Sequence, residues 1–271
     1  MFTDPIGDRM KGYENCYRIY LPKRSAVVVR VDGRAFHSFT KGFARPYDEL
    51  LAHCMWETAR KLCENVSGCK FGYTQSDEIT LILTDYENIN TEPWFGNNLQ
   101  KIVSITASMA TYFFNDEFRR AVHKEAFNES QSSVTEAHQK SITQKLCVFD
   151  SRAFIVPREE IFNVLYWRQL DCKRNSIQLL GQVHFSHNQL QGKNGNQIQE
   201  MLWREKGINW AKEPEWFKNG VSIYKQPTEI MFLNKYDNED MVIRNKWIVD
   251  KNTPVFTQDH AFINKHFEFK E

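Results

Sequence analysis

Residues 70–83 read KFGYTQSDEITLIL, and this stretch decides the fold. Two runs rich in aromatic and β-branched residues, 71–73 and 79–83, flank a polar segment, which is the pattern of a β-hairpin. Two adjacent carboxylates, Asp77 and Glu78, lie where the second strand begins. Because successive strand residues point to opposite faces, these two cannot both reach one site through the same face. We expect one to reach a metal while the other turns toward structure; in isolation, the same residues are also typical of a solvated acidic turn.

Another carboxylate follows an earlier strand pattern. Residues 25–37 read SAVVVRVDGRAFH, and the nearly continuous run of valines predicts a buried central strand. The run ends at Asp32 and Gly33. A carboxylate directly after a buried strand, followed by a glycine that allows close backbone approach, is a favoured place for a ligand or metal. Taken alone, an Asp-Gly pair after a strand is most often a turn.

The order of the predicted elements brings the two carboxylate segments together. A helix predicted over 46–65 follows the first strand, then come the hairpin, a second helix over 94–122 and a strand over 145–156. This β-α-β-β-α-β order is that of ferredoxin-like folds, in which the third strand lies antiparallel beside the first. The end of the first strand therefore meets the start of the third.

Carboxylates that are held close together repel each other unless cations lie between them. The meeting of Asp32 with Asp77 and Glu78 therefore predicts a two-magnesium centre of the kind used in nucleotidyl transfer, with the Gly33 carbonyl as a further ligand. We predict an α/β (α+β) fold with a polymerase-like palm over 1–156. Over 157–271 we predict an extension of helices and short strands that packs on the palm as one continuous domain.

Composition sets limits on partners and compartment. The chain has 271 residues and a formal net charge of +1, so an RNA partner would need a local basic patch or a surface shared between subunits. The six cysteines form no CxxC pair, which favours reduced intracellular thiols over a zinc site. Without a signal peptide or a long apolar run, we expect a cytoplasmic protein with no membrane partner; a mitochondrial location stays open for a eukaryotic source.

Several cations outside the carboxylate segments are candidates for binding phosphate or RNA. Arg45 comes just before a predicted helix N-terminus, where a triphosphate could lie, although a capping or surface arginine fits equally well. Lys101 could contact a phosphate from the second helix, but such a lysine more often extends to water. The polar segment 123–144 predicts a loop without catalytic residues. A helix predicted to open at Pro157 carries the stretch 167–176, WRQLDCKRNS. Together with the cations and tryptophans of 152–212, it fits an RNA-facing surface and a solvated face about equally.

Six segments in a fixed order resemble a known family. VVVRVDGRAFHSF, FARPYDELL, YTQSDEITLIL, SITASMAT, FDSRAF and YWRQLDC are similar to the motif series of tRNA(His) guanylyltransferase and its relatives, the reverse polymerases that add nucleotides to tRNA 5′ ends in the 3′-to-5′ direction. The resemblance implies a palm fold in which Asp32, Gly33 and Asp77 hold two Mg²⁺ ions with Glu78 beside them as a catalytic residue. Contacts to the nucleotide or its triphosphate are expected from Arg34, Phe36, His37, Arg45, Ser76 and Lys101, and contacts to tRNA and its 5′ end from Arg152, Arg168, Lys173, Arg174 and Asn175.

One departure from the family pattern, after the WRQ-x-DC run, decides which branch the chain resembles. Enzymes that add the extra guanosine of tRNA(His) carry HINNLYN after the WRQ-x-DC run, whereas residues 173–179 here read KRNSIQL and lack the histidine. Arg45 also stands where those enzymes usually have lysine. The chain is thus similar to the guanylyltransferase-like proteins of bacteria, archaea and some protists, whose implied activity is templated repair of several tRNAs.

These observations predict an enzyme, a template-dependent 3′-to-5′ nucleotidyltransferase that activates tRNA 5′ ends with ATP or GTP and uses NTPs as substrates. The alternative is a tRNA(His) guanylyltransferase that adds guanosine at position −1. More distant alternatives are a palm-type nucleotide cyclase and an inactive RNA-binding module. The resemblance also implies a homotetramer that binds tRNA across subunits.

Overall fold

An antiparallel sheet lies at the centre of the computed structural model, which describes residues 4–126, 135–233 and 239–267. Its strands are β1 (Ala26–Arg34), β2 (Cys69–Gln75), β3 (Glu78–Leu83), β4 (Val148–Val156), β5 (Val221–Leu233) and β6 (Glu239–Asp250). They lie in the order β4-β1-β3-β2-β5-β6, and each neighbouring pair is antiparallel. The first four strands have the ferredoxin-like order, which confirms the predicted fold class.

The helices surround this sheet, and short 3₁₀ turns connect several of them. They are α1 (Pro5–Asn15), α2 (Phe36–Phe39), α3 (Glu49–Asn65), α4 (Leu99–Ala126), α5 (Glu136–Gln144), α6 (Ile161–His184), α7 (His187–Leu190), α8 (Gly195–Lys206), α9 (Glu215–Asn219) and α10 (His260–Asn264). Within the described ranges, we find no helix with the length and apolar character needed to span a membrane.

The predicted loop over 123–144 is wrong in its described parts. Helix α4 continues to Ala126, and α5 occupies Glu136–Gln144; the remainder of this segment, 127–134, lies outside the described residues. Helix α5 begins with a capping box, in which the Thr135 side chain accepts from the His138 backbone and the His138 ring accepts from the Thr135 backbone. A histidine in this position replaces the glutamate or glutamine of the usual capping signal, so the sequence pattern does not reveal the helix.

The predicted short strands near the C-terminus also differ from the structure. The runs 220–224 and 229–232 lie in one strand, β5, because β6 pairs with it continuously from Ser222 to Leu233. Strand β5 in turn pairs with β2 at Phe71–Thr74. The C-terminal part therefore extends the same sheet as the palm, while the predicted domain boundary at residue 156 stays a prediction.

Both faces of the sheet are covered, which explains the run of valines in β1. Val27, Val29 and Val31 belong to the core that contains buried residues of α3 and α4, whereas Val28 packs in a second core with residues of α6 and the C-terminal segment. A strand that is covered on both sides carries apolar residues at nearly every position. The carboxylate at the end of β1 therefore emerges from the most buried strand of the palm.

A cluster of phenylalanine rings fills the core between the sheet and α4. The ring of Phe114, which is fully buried, lies 5.7 Å from those of Phe36 and Phe39, 5.8 Å from Phe118 and 5.5 Å from Phe149 (centroid distances). Because Phe36 and Phe39 form the short helix directly after Gly33, this cluster supports the segment that follows the Asp-Gly pair.

We predict that Phe114→Ala lowers the free energy of unfolding by about 3–5 kcal/mol, because it removes apolar contacts and leaves a cavity. Urea denaturation followed by circular dichroism would measure the change. Tyr112→Ala is the matched control on the same helix, since this side chain is 65% exposed. The control should change the free energy by about 0.5 kcal/mol or less. Equal effects of the two variants would contradict the assignment of Phe114 to the core.

Candidate active site

Asp32 and Asp77 lie close together where the end of β1 meets the start of β3, as the element order predicted. Asp32 lies opposite Glu78 in the β1–β3 register. One residue further on, the Gly33 backbone N–H donates to the Asp77 carbonyl oxygen at 3.1 Å. Both aspartates line a cavity of about 620 Å³ that is open to solvent. The turn between β2 and β3 therefore places Asp77 beside the end of β1.

Gly33 is required by close packing rather than by an unusual φ angle. A Cβ atom at this position would lie 2.5 Å from Cδ2 of Phe36 and 3.1 Å from Cβ of Asp77. The first distance is too short for any side chain, because the Phe36 ring is itself held in the phenylalanine cluster. The predicted close backbone approach at Gly33 is present.

Two residues beside the carboxylates have left-handed backbone conformations. Ser76 has φ 51° in the β2–β3 turn, and Ala35 has φ 52° immediately before α2. Non-glycine residues adopt this region at a cost, and such positions concentrate at functional sites. At Ser76 the conformation allows the hydroxyl to donate to Oδ1 of Asp77 at 3.0 Å. Ser76 therefore orients a carboxylate of the site and also lines the cavity.

Burial and neighbouring negative charge raise the pKa of both aspartates. For Asp77, burial is the main cause and the charges of Asp32 and Glu78 add to it, while the Ser76 hydroxyl opposes them; the pKa is raised to about 6. For Asp32, burial again comes first, followed by the charges of Glu78 and Asp150, and Arg152 acts in the opposite direction. An added cation would relieve this repulsion.

The oxygen donors at this point suit a hard divalent cation. The carboxylates of Asp32 and Asp77 and the carbonyl of Gly33 are ligands of the kind that Mg²⁺ prefers, with water or phosphate oxygens completing its shell. In the part of the chain that the structure describes, no three side chains of His, Cys, Asp or Glu are grouped to hold a metal by themselves. The donor chemistry therefore fits a metal that is shared between protein and substrate.

Glu78 points away from this cavity and into a buried ion-pair network. Its carboxylate accepts from Nη2 of Arg30 at 2.7 Å and from Nη1 of Arg168 at 2.8 and 3.2 Å. The opposite orientations of Asp77 and Glu78 agree with the strand alternation on which the sequence argument relied. This geometry gives Glu78 a structural role, because its oxygens are occupied by two guanidinium groups, and its predicted catalytic role stays a prediction.

Arg168 lies in the same network, and its predicted contact with tRNA stays a prediction. Its side chain is only 4% exposed and also bonds to Oδ2 of Asp171 at 3.2 Å. Trp167 lies against both arginines of the network, with its ring centroid 3.8 Å from Cζ of Arg168 and 5.1 Å from Cζ of Arg30. Through its ion pair with Glu78, Arg168 therefore connects α6 to β3.

The other predicted site residues divide into two groups. Five line the cavity with the aspartates, namely Phe36, His37, Arg45, Ser76 and Asn175. Of these, Phe36 is held mostly in the core. The remaining predicted residues do not line it, namely Arg34, Lys101, Arg152, Lys173 and Arg174. Of these, Arg152 is exposed and bonds to Asp150 at 3.1 Å, and Arg174 is exposed and pairs with Asp171.

Several cavity residues were missed in the sequence. Asp48 caps α3 and lines the cavity. Its position as a cap was predictable from the sequence, because an aspartate before an apolar helical pattern is a common N-cap. At the end of the cavity near α9 lie Tyr47, Trp56 and Trp216, with the Trp216 ring centroid 4.8 Å from Tyr47 and 5.3 Å from Trp56. These aromatic residues carried no sequence signal, because they come from separate segments that only the fold unites.

We predict that Asp77→Asn alters the pH dependence of stability in the metal-free protein. Because the folded-state pKa of Asp77, about 6, lies above the ordinary value of 3.8, its stabilising contribution is complete below pH 3.8 and is lost as the pH rises through 6. Asparagine can keep the acceptor for Ser76 but has no charge. In thermal unfolding with EDTA, the variant should therefore gain stability relative to wild type from pH 4 to pH 7. A constant difference across this range would contradict the raised pKa.

We also predict that Glu78→Gln lowers the free energy of unfolding by about 3–5 kcal/mol, because it removes the charge that compensates two buried arginines. Chemical denaturation would measure the loss. The control is Glu14→Gln, which disrupts the exposed Arg18–Glu14 pair and should cost about 0.5 kcal/mol or less. Full stability combined with lost activity would instead support the catalytic role first predicted for Glu78.

Comparisons with known proteins identify the family of this chain. The family model described as "Thg1: tRNAHis guanylyltransferase" matches residues 7–157, more than half of the chain. A solved bacterial tRNA(His) guanylyltransferase (Thg1)-like protein in complex with ATP is 40% identical, with a TM-score of 0.80, and the match covers 98% of this chain and 100% of that one. Its counterpart in complex with GTP is 38% identical, with a TM-score of 0.76 and coverage of 97% and 99%. The tRNA(His) guanylyltransferase of Schizosaccharomyces pombe is 27% identical over 233 residues, covering 81% of this chain and 80% of the relative. The antiparallel palm-like sheet, the paired carboxylates and these matches show that the chain belongs to the Thg1 family of nucleotidyltransferases.

Proposed function

We propose that the chain is a magnesium-dependent, template-dependent 3′-to-5′ nucleotidyltransferase that repairs tRNA 5′ ends. The observation that carries this proposal is the meeting of Asp32 and Asp77 at the edge of a cavity that Arg45 also lines. A volume of about 620 Å³ lies in the range of ordinary ligand sites. The similar bacterial structures in complex with ATP and with GTP support a nucleotide as the ligand.

The residues of the site suit two successive reactions on the 5′ end. A 5′-monophosphate is first activated by ATP or GTP, and the 3′-hydroxyl of an incoming nucleotide then attacks the activated phosphate. Bound Mg²⁺ would lower the pKa of the attacking hydroxyl and offset charge on the leaving group. Asp32, Asp77 and the Gly33 carbonyl would hold the metal, Ser76 orients Asp77, and Arg45, near the N-terminus of α3, would bind the triphosphate.

The surface around α6 supports an RNA substrate. Asn175 lines the cavity, while the guanidinium groups of Arg152 and Arg174 are exposed and already paired with acids, so that a phosphate would have to replace those partners. With a net charge of only +1, one subunit offers limited attraction to tRNA. The proposal therefore includes a homotetramer that binds tRNA across its subunits. We also propose that the protein is cytoplasmic.

The family description keeps a second candidate open, the addition of guanosine at position −1 of tRNA(His). What favours templated repair is the sequence of α6, where KRNSIQL at 173–179 replaces the histidine-containing motif that accompanies −1 addition. Pairing with the opposite strand of the acceptor stem would then select the nucleotide, without a dedicated reader of tRNA(His).

The test uses a 5′-monophosphorylated tRNA that lacks its first nucleotide, with Mg²⁺, ATP and each NTP in turn. We expect addition only of the nucleotide that is complementary to the opposing base. Addition of guanosine to a complete acceptor stem of tRNA(His), regardless of template, would establish the second candidate instead. Lack of addition to either substrate would overturn both, and a cyclic product from NTP alone would indicate a nucleotide cyclase.

We predict that Asp32→Ala and Asp77→Ala each reduce activation and addition at least about 100-fold. Removal of a group that only supports a metal ligand costs about 10- to 100-fold, so removal of a ligand itself should cost at least as much. Radiolabelled transfer to the tRNA 5′ end would measure both steps. Glu200→Ala, which removes an exposed acid of α8 paired with Arg204, is the control and should retain activity. Retained activity in either aspartate variant would overturn the two-carboxylate site.

A further inference from the structure

Helix α5 lies across the segment between β1 and α3, and it contacts that segment at several points. The Ser141 hydroxyl donates to the Phe39 carbonyl at 3.0 Å, and Nζ of Lys145 donates to the same oxygen at 3.3 Å. The imidazole of His138 packs on the ring of Phe43, with 4.3 Å between centroids. The segment that carries His37 and Arg45 into the cavity is therefore fixed from outside by α5.

The hydrogen bonds of His138 determine where its proton lies. The backbone N–H of Thr135 can only donate, and it contacts Nδ1 of His138 at 3.0 Å, so Nδ1 accepts. In the neutral ring the proton then resides on Nε2, which lies 3.0 Å from Oδ2 of Asp48 and donates to it. His138 thus links the cap of α5 to the cap of α3.

Asp48 gathers three donors around the loop that carries Arg45. Its Oδ1 accepts from the Leu51 backbone at 3.0 Å, and its Oδ2 accepts from the Ala44 backbone at 3.2 Å as well as from His138. Burial alone would raise the pKa of Asp48, but His138 and the two backbone donors outweigh it and leave the pKa below its usual value. The carboxylate therefore closes the turn from Ala44 to Asp48, with Arg45 inside that turn.

We propose that His138 is a positioning residue for the nucleotide triphosphate, acting through Asp48 on the loop that presents Arg45. This inference rests on the proposed function, because it assumes that the cavity binds a nucleotide. Both side chains of the pair are almost completely buried. Loss of the His138 donor leaves Oδ2 of Asp48 with the longer bond from the Ala44 backbone, which weakens the hold of Asp48 on the turn that contains Arg45.

Two substitutions of His138 separate this role from simple capping of α5. In His138→Gln the amide nitrogen can donate to Asp48 and the amide oxygen can accept from the Thr135 backbone, as the amide oxygens of Gln189 and Gln197 do in the capping boxes of α7 and α8. In His138→Asn the amide oxygen replaces Nδ1 and keeps the acceptor for Thr135, but the donor toward Asp48 is lost. Both variants keep an acceptor for Thr135 and differ in the donor toward Asp48. If His138 mattered only as a cap, the two variants would bind nucleotide equally well; if it positions the Arg45 loop, the asparagine variant would bind more weakly than the glutamine variant.

The experiment measures the affinity of the full chain for a fluorescent ATP analogue with Mg²⁺, by anisotropy and without tRNA, together with thermal stability. We expect His138→Asn to bind about tenfold more weakly than wild type and His138→Gln to bind within about twofold, as loss and retention of one charge-assisted hydrogen bond would give. In activation assays, the asparagine variant should show a raised KM for ATP with kcat little changed. Lys140→Ala, on the exposed face of α5, is the control.

A double substitution tests whether the effect passes through Arg45. In an Arg45→Ala background, His138→Asn should weaken binding little further, because the two losses concern one contact. Additive losses, or asparagine binding as tightly as wild type, would overturn the inference while leaving the proposed function intact. Failure of wild type to bind the ATP analogue would instead overturn the nucleotide site on which both depend.

Discussion

The pairing of β1 with β3 is the constraint on which the rest of the site depends. Because Asp32 lies opposite Glu78, the Gly33 amide reaches the Asp77 carbonyl one residue further on. A shift of one residue in this register would exchange the faces of β3, remove Glu78 from Arg30 and Arg168, and separate Asp77 from Asp32. The buried ion pairs of Glu78 therefore oppose such a shift. The same contacts that stabilise the palm thus fix the position of Asp77 relative to Asp32.

Strand alternation gives two adjacent acids opposite environments. Asp77 faces the cavity with a raised pKa and a single hydroxyl donor, whereas Glu78 is buried between Arg30 and Arg168. Through Arg168, the second acid ties α6 to the sheet, and α6 carries Asn175 into the cavity. One dipeptide therefore supplies a carboxylate that lines the cavity and an anchor for the wall that faces it.

Local patterns in the sequence were sufficient for the palm and its carboxylates, but not for residues whose environment arises from distant contacts. The valine run, the hairpin and the Asp-Gly pair each have a periodicity or a backbone requirement that can be read directly. Arg168 was expected to contact tRNA, whereas it is buried; arginine is rarely buried without a partner, and its pairing with Glu78 explains the burial. His138 is 90 residues from Asp48, and no local pattern connects them.

The tryptophans at the aromatic end of the cavity give the protein an intrinsic fluorescence signal near its site. Trp56 and Trp216 both line the cavity, and their rings are in edge-to-face contact. Indole emission depends on the polarity and the quenching groups around the ring, so a nucleotide that enters the cavity would change the light emitted by two of the seven tryptophans. Occupancy of the site could therefore be followed in the unlabelled protein, in real time and without a coupled reaction.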